Sequence, residues 1–135
     1  MKFTTNLKAF SIVFYTTFFA LLSQLVLSLP LTDKRDVFVP RIITPDASTV
    51  WHSGEIQTVT WDISDAPQNI TNSIGFILLR AGEISTPVIL ADNFNILDAQ
   101  VNLTVPNVLT RDDFSIVLFG DSGNFSPQFT IVGKF

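Results

Sequence analysis

Apolar and polar residues alternate with a period of two along much of the chain after residue 35, and this pattern limits the fold more than any other feature. Val59 and Trp61 alternate with Thr58, Thr60 and Asp62. Comparable alternation recurs further along the chain, at 101–105, 114–119 and 128–131. Because successive side chains of a strand point to opposite faces of a sheet, this period predicts half-buried β-strands. The uniformly apolar run at 74–79 is typical of a central strand covered on both faces.

Clusters of turn-forming residues such as Thr44-Pro45-Asp46 and Gly120-Asp121-Ser122-Gly123-Asn124 separate these stretches. We predict seven strands, at 37–43, 56–63, 73–80, 87–91, 99–105, 113–119 and 128–133. Seven strands in about 100 residues are typical of an all-β fold, an immunoglobulin- or fibronectin-like antiparallel β-sandwich, with a small barrel as the alternative. The chain has no cysteine, so its core alone must hold the two sheets together.

The N-terminus has the pattern of an export signal. Residues 1–8 contain two lysines and no acidic residue, and residues 9–29 carry no charge. A basic start followed by an apolar run is typical of a secretory signal peptide. A membrane anchor is the alternative, since about 20 apolar residues span a bilayer. Because six residues of the run are polar, we predict a signal peptide at 1–28, with no stable membrane insertion after its cleavage near Ser28.

A dibasic pair, Lys34 and Arg35, follows this segment. It resembles the processing site of secretory-pathway proteases that cut after Lys-Arg, and an ordinary solvated pair of charges is the alternative. We predict a short pro-segment at 29–35 and a mature domain at 36–135. The mature domain would be secreted, to the extracellular space or the cell wall.

The charge of the predicted mature domain restricts its partners. Residues 36–135 contain four basic and eleven acidic side chains, which gives a formal charge of −7. Nucleic acids and anionic membranes are bound through clustered Lys and Arg. We therefore expect no nucleic-acid partner.

No group of residues has the pattern of a catalytic or metal site. His52 is the only histidine, so it could act as the base of a triad, but no nucleophile elbow accompanies it. We expect His52 to be a surface turn residue. Asp112 and Asp113 are neighbours and would point to opposite faces of a strand, whereas a glycosidase needs two carboxylates that face each other. We predict no catalytic residue, no metal and no cofactor, and hence no enzyme.

Three N-glycosylation sequons lie in the mature domain, and they begin at Asn69, Asn102 and Asn124. Asn69 is predicted in a loop, where modification is easiest. Asn102 alternates with apolar residues and would lie on the polar face of its strand. Asn124 ranks last, because Pro127 directly follows its sequon.

Trp51 is the candidate ligand-binding residue. Carbohydrate-binding sandwiches often expose aromatic side chains that stack on sugar rings. Trp51 falls in or next to a predicted turn, whereas Trp61 belongs to an alternating stretch and is expected in the core.

Several short motifs occur together in an order that is known from a protein family. They are Pro45, Trp51-x-x-Gly54, Val59-x-Trp61, Val105-Pro106 and the closing Gly120–Pro127 segment with Phe129. In this order they resemble the N-terminal-like domain of yeast cell-wall synthesis proteins of the killer-toxin-resistance type, which also occurs in the fungal Ser-Thr-rich glycosylphosphatidylinositol-anchored membrane family. The resemblance implies an extracellular β-sandwich linked to β-1,6-glucan assembly. Family members usually continue into an anchored stalk, and since no anchor signal follows Val132, we expect a freely secreted or wall-trapped protein.

Two functional hypotheses follow. The first is a non-catalytic secreted module of the fungal cell wall that takes part in β-1,6-glucan assembly or binding, with a wall polysaccharide or wall protein as its partner. The second is a secreted protein-interaction module of the effector or adhesion type, without a glycan role. A large exposed apolar patch on one sheet face would favour the second hypothesis. A small hydrolase would need two carboxylates that converge in a pocket.

Overall fold

The computed structural model of this protein describes residues 36–135. The predicted signal peptide at 1–28 and the predicted pro-segment at 29–35, with Lys34 and Arg35, lie outside the described residues. Within 36–135, no helix is long and apolar enough to cross a membrane.

The regular structure of the described residues consists of nine strands and one short 3-10 turn. The strands are β1 (Ile42–Thr44), β2 (Val50–His52), β3 (Ile56–Trp61), β4 (Ile74–Ala81), β5 (Ile84–Asn95), β6 (Gln100–Thr104), β7 (Arg111–Phe119), β8 (Gly123–Phe125) and β9 (Phe129–Val132). The 3-10 turn, Ile96–Asp98, connects β5 to β6.

The strands form two sheets that share one core, so the predicted all-β sandwich is confirmed. The smaller sheet has the order β1-β3-β6. The larger sheet has the order β2-β9-β7-β4-β5, and β8 pairs with β7. All strand pairs are antiparallel except β2 with β9, which is parallel. The sandwich is therefore mixed at one edge rather than antiparallel throughout.

Alternation places one apolar row of each strand between the two sheets. In β3, Val59 and Trp61 are buried, and in β7 the buried row contains Phe114, Ile116 and Leu118. The smaller sheet adds buried residues from β1 and β6, and the larger sheet adds them from β2, β4 and β9. The principal members of this single core are Ile42, Trp51, Val59, Trp61, Ile77, Leu79, Ile96, Leu103, Phe114, Ile116, Leu118, Phe129 and Ile131.

Each of the seven predicted strands overlaps an observed one, and the differences lie mainly in length and in two short strands. The strand predicted at 37–43 begins only at Ile42, and the strand predicted at 87–91 extends over Ile84–Asn95. The short strands β2 and β8 were not predicted. Three residues are too few to display a period of two, and the formation of β2 depends on its pairing with β9 far along the chain.

The run at 74–79 requires one correction. It forms β4, which is central in its sheet because it pairs with β7 and β5. Only one of its faces is covered by the described residues, however, since Ile77 and Leu79 are buried while Ile74 is 56% and Phe76 is 38% exposed. The apolar character of the second face therefore does not come from burial in the core.

Candidate functional site

The outer face of the larger sheet carries a row of apolar side chains on each of several neighbouring strands. Residues directly opposite each other on paired strands lie on the same face, and Phe76 pairs with Phe119, while Leu78 pairs with both Val117 and Ile89. Val117 in turn pairs with Phe125 of β8. We call this face of the sheet the outer face and define it by Ile74, Phe76, Leu78, Ile89, Val117, Phe119 and Phe125, of which Val117 is covered, at 1% exposure. It points away from the core.

Two phenylalanine rings stack at the centre of the outer face. The rings of Phe76 and Phe119 have centroids 4.6 Å apart and planes inclined by 8°. Gly123 lies opposite Phe119, and a Cβ atom at Gly123 would come within 2.9 Å of the Phe119 ring. The Phe119 ring therefore packs over the β8 backbone as well as against Phe76.

Phe125 is the most exposed aromatic ring of the outer face, at 54%. The Arg80 guanidinium lies 4.7 Å from its centroid, a distance at which cations are attracted to aromatic rings. Arg80 also donates to the Glu83 carbonyl oxygen at 3.0 Å and to the Glu83 carboxylate at 2.8 Å. The Nε atom of Arg80 is buried and has no hydrogen-bond partner among the described residues. These contacts hold a planar cation beside an exposed ring.

A second ion pair lies near the same end of the sheet. Arg111 donates to both carboxylate oxygens of Asp113, at 2.7 and 2.6 Å. These hydrogen bonds and the guanidinium charge lower the pKa of Asp113. The same hydrogen bonds and the carboxylate charge raise the pKa of Arg111. Arg80 and Arg111 are thus both paired with acidic side chains, so the apolar surface beside them carries little net charge.

Trp51 is not available to stack on a ligand, which corrects the prediction from sequence. It is 3% exposed and its ring packs edge to face on Phe129, with centroids 4.6 Å apart. Trp51 lies in β2, and the parallel pairing of β2 with β9 places it opposite Ile131. A ring covered in this way belongs to the core and offers no face to a sugar.

The three sequons differ in what their side chains do in the folded domain. Asn69 is exposed outside the strands, and Asn102 and Thr104 are both exposed on β6. Asn124 instead donates from Nδ2 to the Pro40 carbonyl oxygen at 2.6 Å. The hydroxyl of Ser126, the third residue of that sequon, is engaged with the backbone of Ile116 and Pro127. The fold therefore engages in hydrogen bonds the amide of Asn124 and the hydroxyl of Ser126, which glycosylation at Asn124 requires. Glycosylation of Asn69 and of Asn102 stays a prediction.

The remaining candidates for chemistry lie apart from one another. His52 is exposed at the end of β2 rather than in a turn. Asp112 is exposed, whereas its neighbour Asp113 is bound by Arg111. In the part of the chain that the structure describes, no three His, Cys, Asp or Glu side chains converge to hold a metal ion.

Comparisons of the chain with protein-family models, with curated proteins and with solved structures find no match. The outer face was missed by sequence reasoning, which treated the 74–79 run as buried on both sides. The signal that could have found it was the second apolar row of β4 and β7, since Phe76, Leu78, Val117 and Phe119 are apolar at positions that point away from the core.

Proposed function

We propose that this chain is a non-catalytic secreted module of the fungal cell wall that takes part in the assembly or binding of β-1,6-glucan. The wall setting is supported by the motif resemblance and by the signal-peptide pattern of the N-terminus. The mode of action, binding, is supported by the outer face. Its partner is a wall polysaccharide or a wall protein.

The outer face is the observation that carries the proposal. Ile74, Ile89 and Phe125 are each more than half exposed on one side of one sheet, beside the stacked Phe76–Phe119 pair. Contiguous exposed apolar surface of this kind marks interaction sites, because water contact with it is unfavourable. This surface is therefore the proposed binding surface.

Phe125 and Arg80 form the part of the outer face that suits a polysaccharide. One face of the Phe125 ring is covered by the guanidinium, and the side chain keeps more than half of its surface in solvent. An exposed ring can pack against the C–H groups of a sugar, and a guanidinium can donate hydrogen bonds to its hydroxyl oxygens. In this proposal Phe125 takes the role that sequence reasoning gave to Trp51.

Sedimentation with insoluble β-1,6-glucan and with chitin tests the proposal. We expect the protein to be retained on the glucan above an unrelated acidic protein, and F125A to lose this retention. F135A is the matched control, because it removes the same ring from another exposed position, where Phe135 is 85% exposed. Equal retention of F125A and F135A would exclude the outer face as the glucan-binding surface.

The second candidate function is protein interaction without a glycan role, and the Phe76–Phe119 stack favours it. Each ring of the stack covers one face of the other, which leaves the exposed part of Phe76 and the aliphatic side chains of Ile74 and Ile89 for a partner. Such surface is typical of protein interfaces. Isolated cell walls with and without protease treatment separate the two candidates. Retention that survives protease treatment supports polysaccharide binding, and retention that protease treatment abolishes supports a wall-protein partner.

A further inference from the structure

Two strand edges lie unpaired on the same side of the sandwich. β6 ends the smaller sheet and β5 ends the larger one, and among residues 36–135 no strand pairs with the free side of either. At the opposite side, the chain passes directly from β1 in one sheet to β2 in the other. Free strand edges present unpaired N–H and C=O groups to which another chain can add, so soluble proteins commonly cover or interrupt them. β5 is interrupted by Pro87 and by irregular pairing with β4.

An open groove of about 440 Å³ lies between these two edges. Its lining combines apolar side chains with polar ones: Ile56, Leu90, Ala91, Asp92, Val101, Asn102, Leu103 and Thr104. Ile56 is 72% exposed beside it. The groove therefore offers both apolar contact and hydrogen-bonding groups to an occupant.

Both ends of the Asn102-Leu103-Thr104 sequon line this groove. The Oδ1 atom of Asn102 accepts a hydrogen bond from the Thr58 hydroxyl at 2.7 Å, across the pairing of β3 with β6. This bond holds the side-chain amide of Asn102 through its oxygen. It does not use Nδ2, which is the atom that carries an N-linked sugar. Leu103 points into the core at 4% exposure, so Asn102 and Thr104 project together from the other face of β6.

We infer that Asn102 carries an N-linked oligosaccharide whose innermost sugars lie in the groove and cover the free edges of β5 and β6. The inference rests on the proposed export of the chain. In the linking step, Nδ2 forms a bond to C1 of the first sugar as the bond from C1 to a lipid-linked diphosphate breaks, and the amide proton leaves with the diphosphate. The C–H faces of the sugars then contact Ile56 and Leu90, and their hydroxyls lie near Asp92 and Thr104.

The other two sequons do not have this arrangement. Asn69 is exposed in the loop before β4 and does not line the groove. Asn124 uses its Nδ2 atom to bond Pro40. Of the three sequons, only that of Asn102 has both an Nδ2 atom without a hydrogen bond to residues 36–135 and a position beside the free edges. A glycan there would therefore cover these edges.

Secretion of the full chain from a yeast host, followed by mass measurement with and without endoglycosidase, tests occupancy. We expect N102Q and T104V each to lose the mass of one glycan. T104S, which keeps the sequon, is expected to retain that mass, and N69Q serves as the control for the other exposed sequon. If one of the two sequon-removing variants fails to fold, the other still reports on the site, because they change different side chains.

Hydrogen exchange tests where the sugars lie. In the glycosylated protein we expect slower amide exchange at 90–92 and 101–104 than in the enzymatically deglycosylated protein, which should also associate at lower concentration through its free edges. Unchanged exchange and association would overturn the coverage of the groove. A secreted protein that is glycosylated at Asn69 but not at Asn102 would overturn the site alone. A protein recovered from the medium with no glycan at all would also overturn the site, and a failure to recover any protein from the medium would overturn the export on which it rests, whereas the glucan assay addresses the proposed function separately.

Discussion

The indole nitrogen of Trp61 donates a hydrogen bond of 2.6 Å to the carbonyl oxygen of Ile96, and both residues are buried. Trp61 ends β3 in the smaller sheet, while Ile96 follows β5 of the larger sheet. The Trp61 ring also packs on Phe94 of β5, with centroids 5.5 Å apart. In a chain without cysteine, this side chain joins the two sheets through both a polar and an aromatic contact.

Replacement of Trp61 by Phe keeps an aromatic ring but removes the donor. We expect W61F to lower the free energy of unfolding by roughly 2–4 kcal/mol, because an unpaired buried carbonyl and a small cavity both add to the loss. Urea denaturation followed by circular dichroism measures this as a lower midpoint with an unchanged slope. W51F is the matched control, since the Trp51 nitrogen makes no hydrogen bond within residues 36–135. Equal losses in W61F and W51F would show that the hydrogen bond contributes little.

Two buried serines, one with a hydrogen-bonded hydroxyl and one without, allow the effect of a Ser-to-Ala substitution on stability to be compared. The Ser126 hydroxyl accepts from the Ile116 amide at 3.0 Å and donates to the Pro127 carbonyl at 2.8 Å. The Ser53 hydroxyl is buried without a partner among the described residues. We expect S126A to lower the free energy of unfolding by about 1–3 kcal/mol, since it leaves a buried N–H unpaired, and S53A to be neutral or stabilising.

Thermal or urea unfolding of both variants, produced without glycosylation, checks this pair. An unglycosylated host is needed because S126A also removes the sequon that begins at Asn124. A loss in S53A as large as that in S126A would mean that the Ser53 hydroxyl is satisfied in solution.

The sequence predicted the sandwich because its long strands show their pattern locally. β3 and β7 each bury one alternating row, which is visible without knowledge of their partners. Trp51 could not be placed in the same way, since its burial follows from the pairing of β2 with β9 and from contact with Phe129 far along the chain.

The candidate site was harder to predict than the fold for a related reason. Apolar residues on both faces of β4 and β7 have the same appearance whether the second face is buried or presented to a partner. The groove beside Asn102 lies between the free edges of β5 and β6, which are brought together only by the topology of the two sheets. The sequons themselves were visible, but the engagement of Asn124 with Pro40 required the structure.

Gly133 lies where the chain approaches the segment that connects β6 to β7. A Cβ atom at this position would overlap the carbonyl oxygen of Val108 and lie 3.1 Å from the Thr110 amide nitrogen. The Gly133 amide also donates to the Thr110 hydroxyl at 2.9 Å. These neighbours belong largely to the backbone and cannot rotate away.

We therefore expect G133A to lower the free energy of unfolding by about 1–3 kcal/mol, the usual range for overpacking. Denaturant unfolding measures the loss. G123A is a graded comparison, because the added methyl group there would meet the side chain of Phe119, which can shift. A G133A variant as stable as the parent protein would show that the connecting segment moves freely.

Asp46 gives the domain a defined response to acid. Its carboxylate accepts hydrogen bonds from the Ser48 hydroxyl at 2.7 Å, the Ser48 amide at 2.9 Å and the Thr49 hydroxyl at 3.1 Å, in the turn between β1 and β2. The hydrogen bonds from Ser48, followed by that from Thr49, lower the pKa of Asp46 below its ordinary value of 3.8. A carboxyl with a lowered pKa binds fewer protons in the folded state than in the unfolded state. Its contribution to stability is therefore complete above the unfolded pKa and is lost as the pH falls through the folded pKa.

We expect D46N to be less stable than the parent by a constant amount above about pH 5, and the difference to shrink below about pH 4. Urea unfolding from pH 7 to pH 2 measures it. D65N is the control, since it makes the same substitution at an exposed carboxylate that accepts no hydrogen bond within the described part of the chain. Part of the acid dependence should persist in D46N, because the pKa values of Asp62 and Asp113 are also lowered. If the stability difference between D46N and the parent does not change with pH, the hydrogen bonds to Asp46 do not favour its charged form.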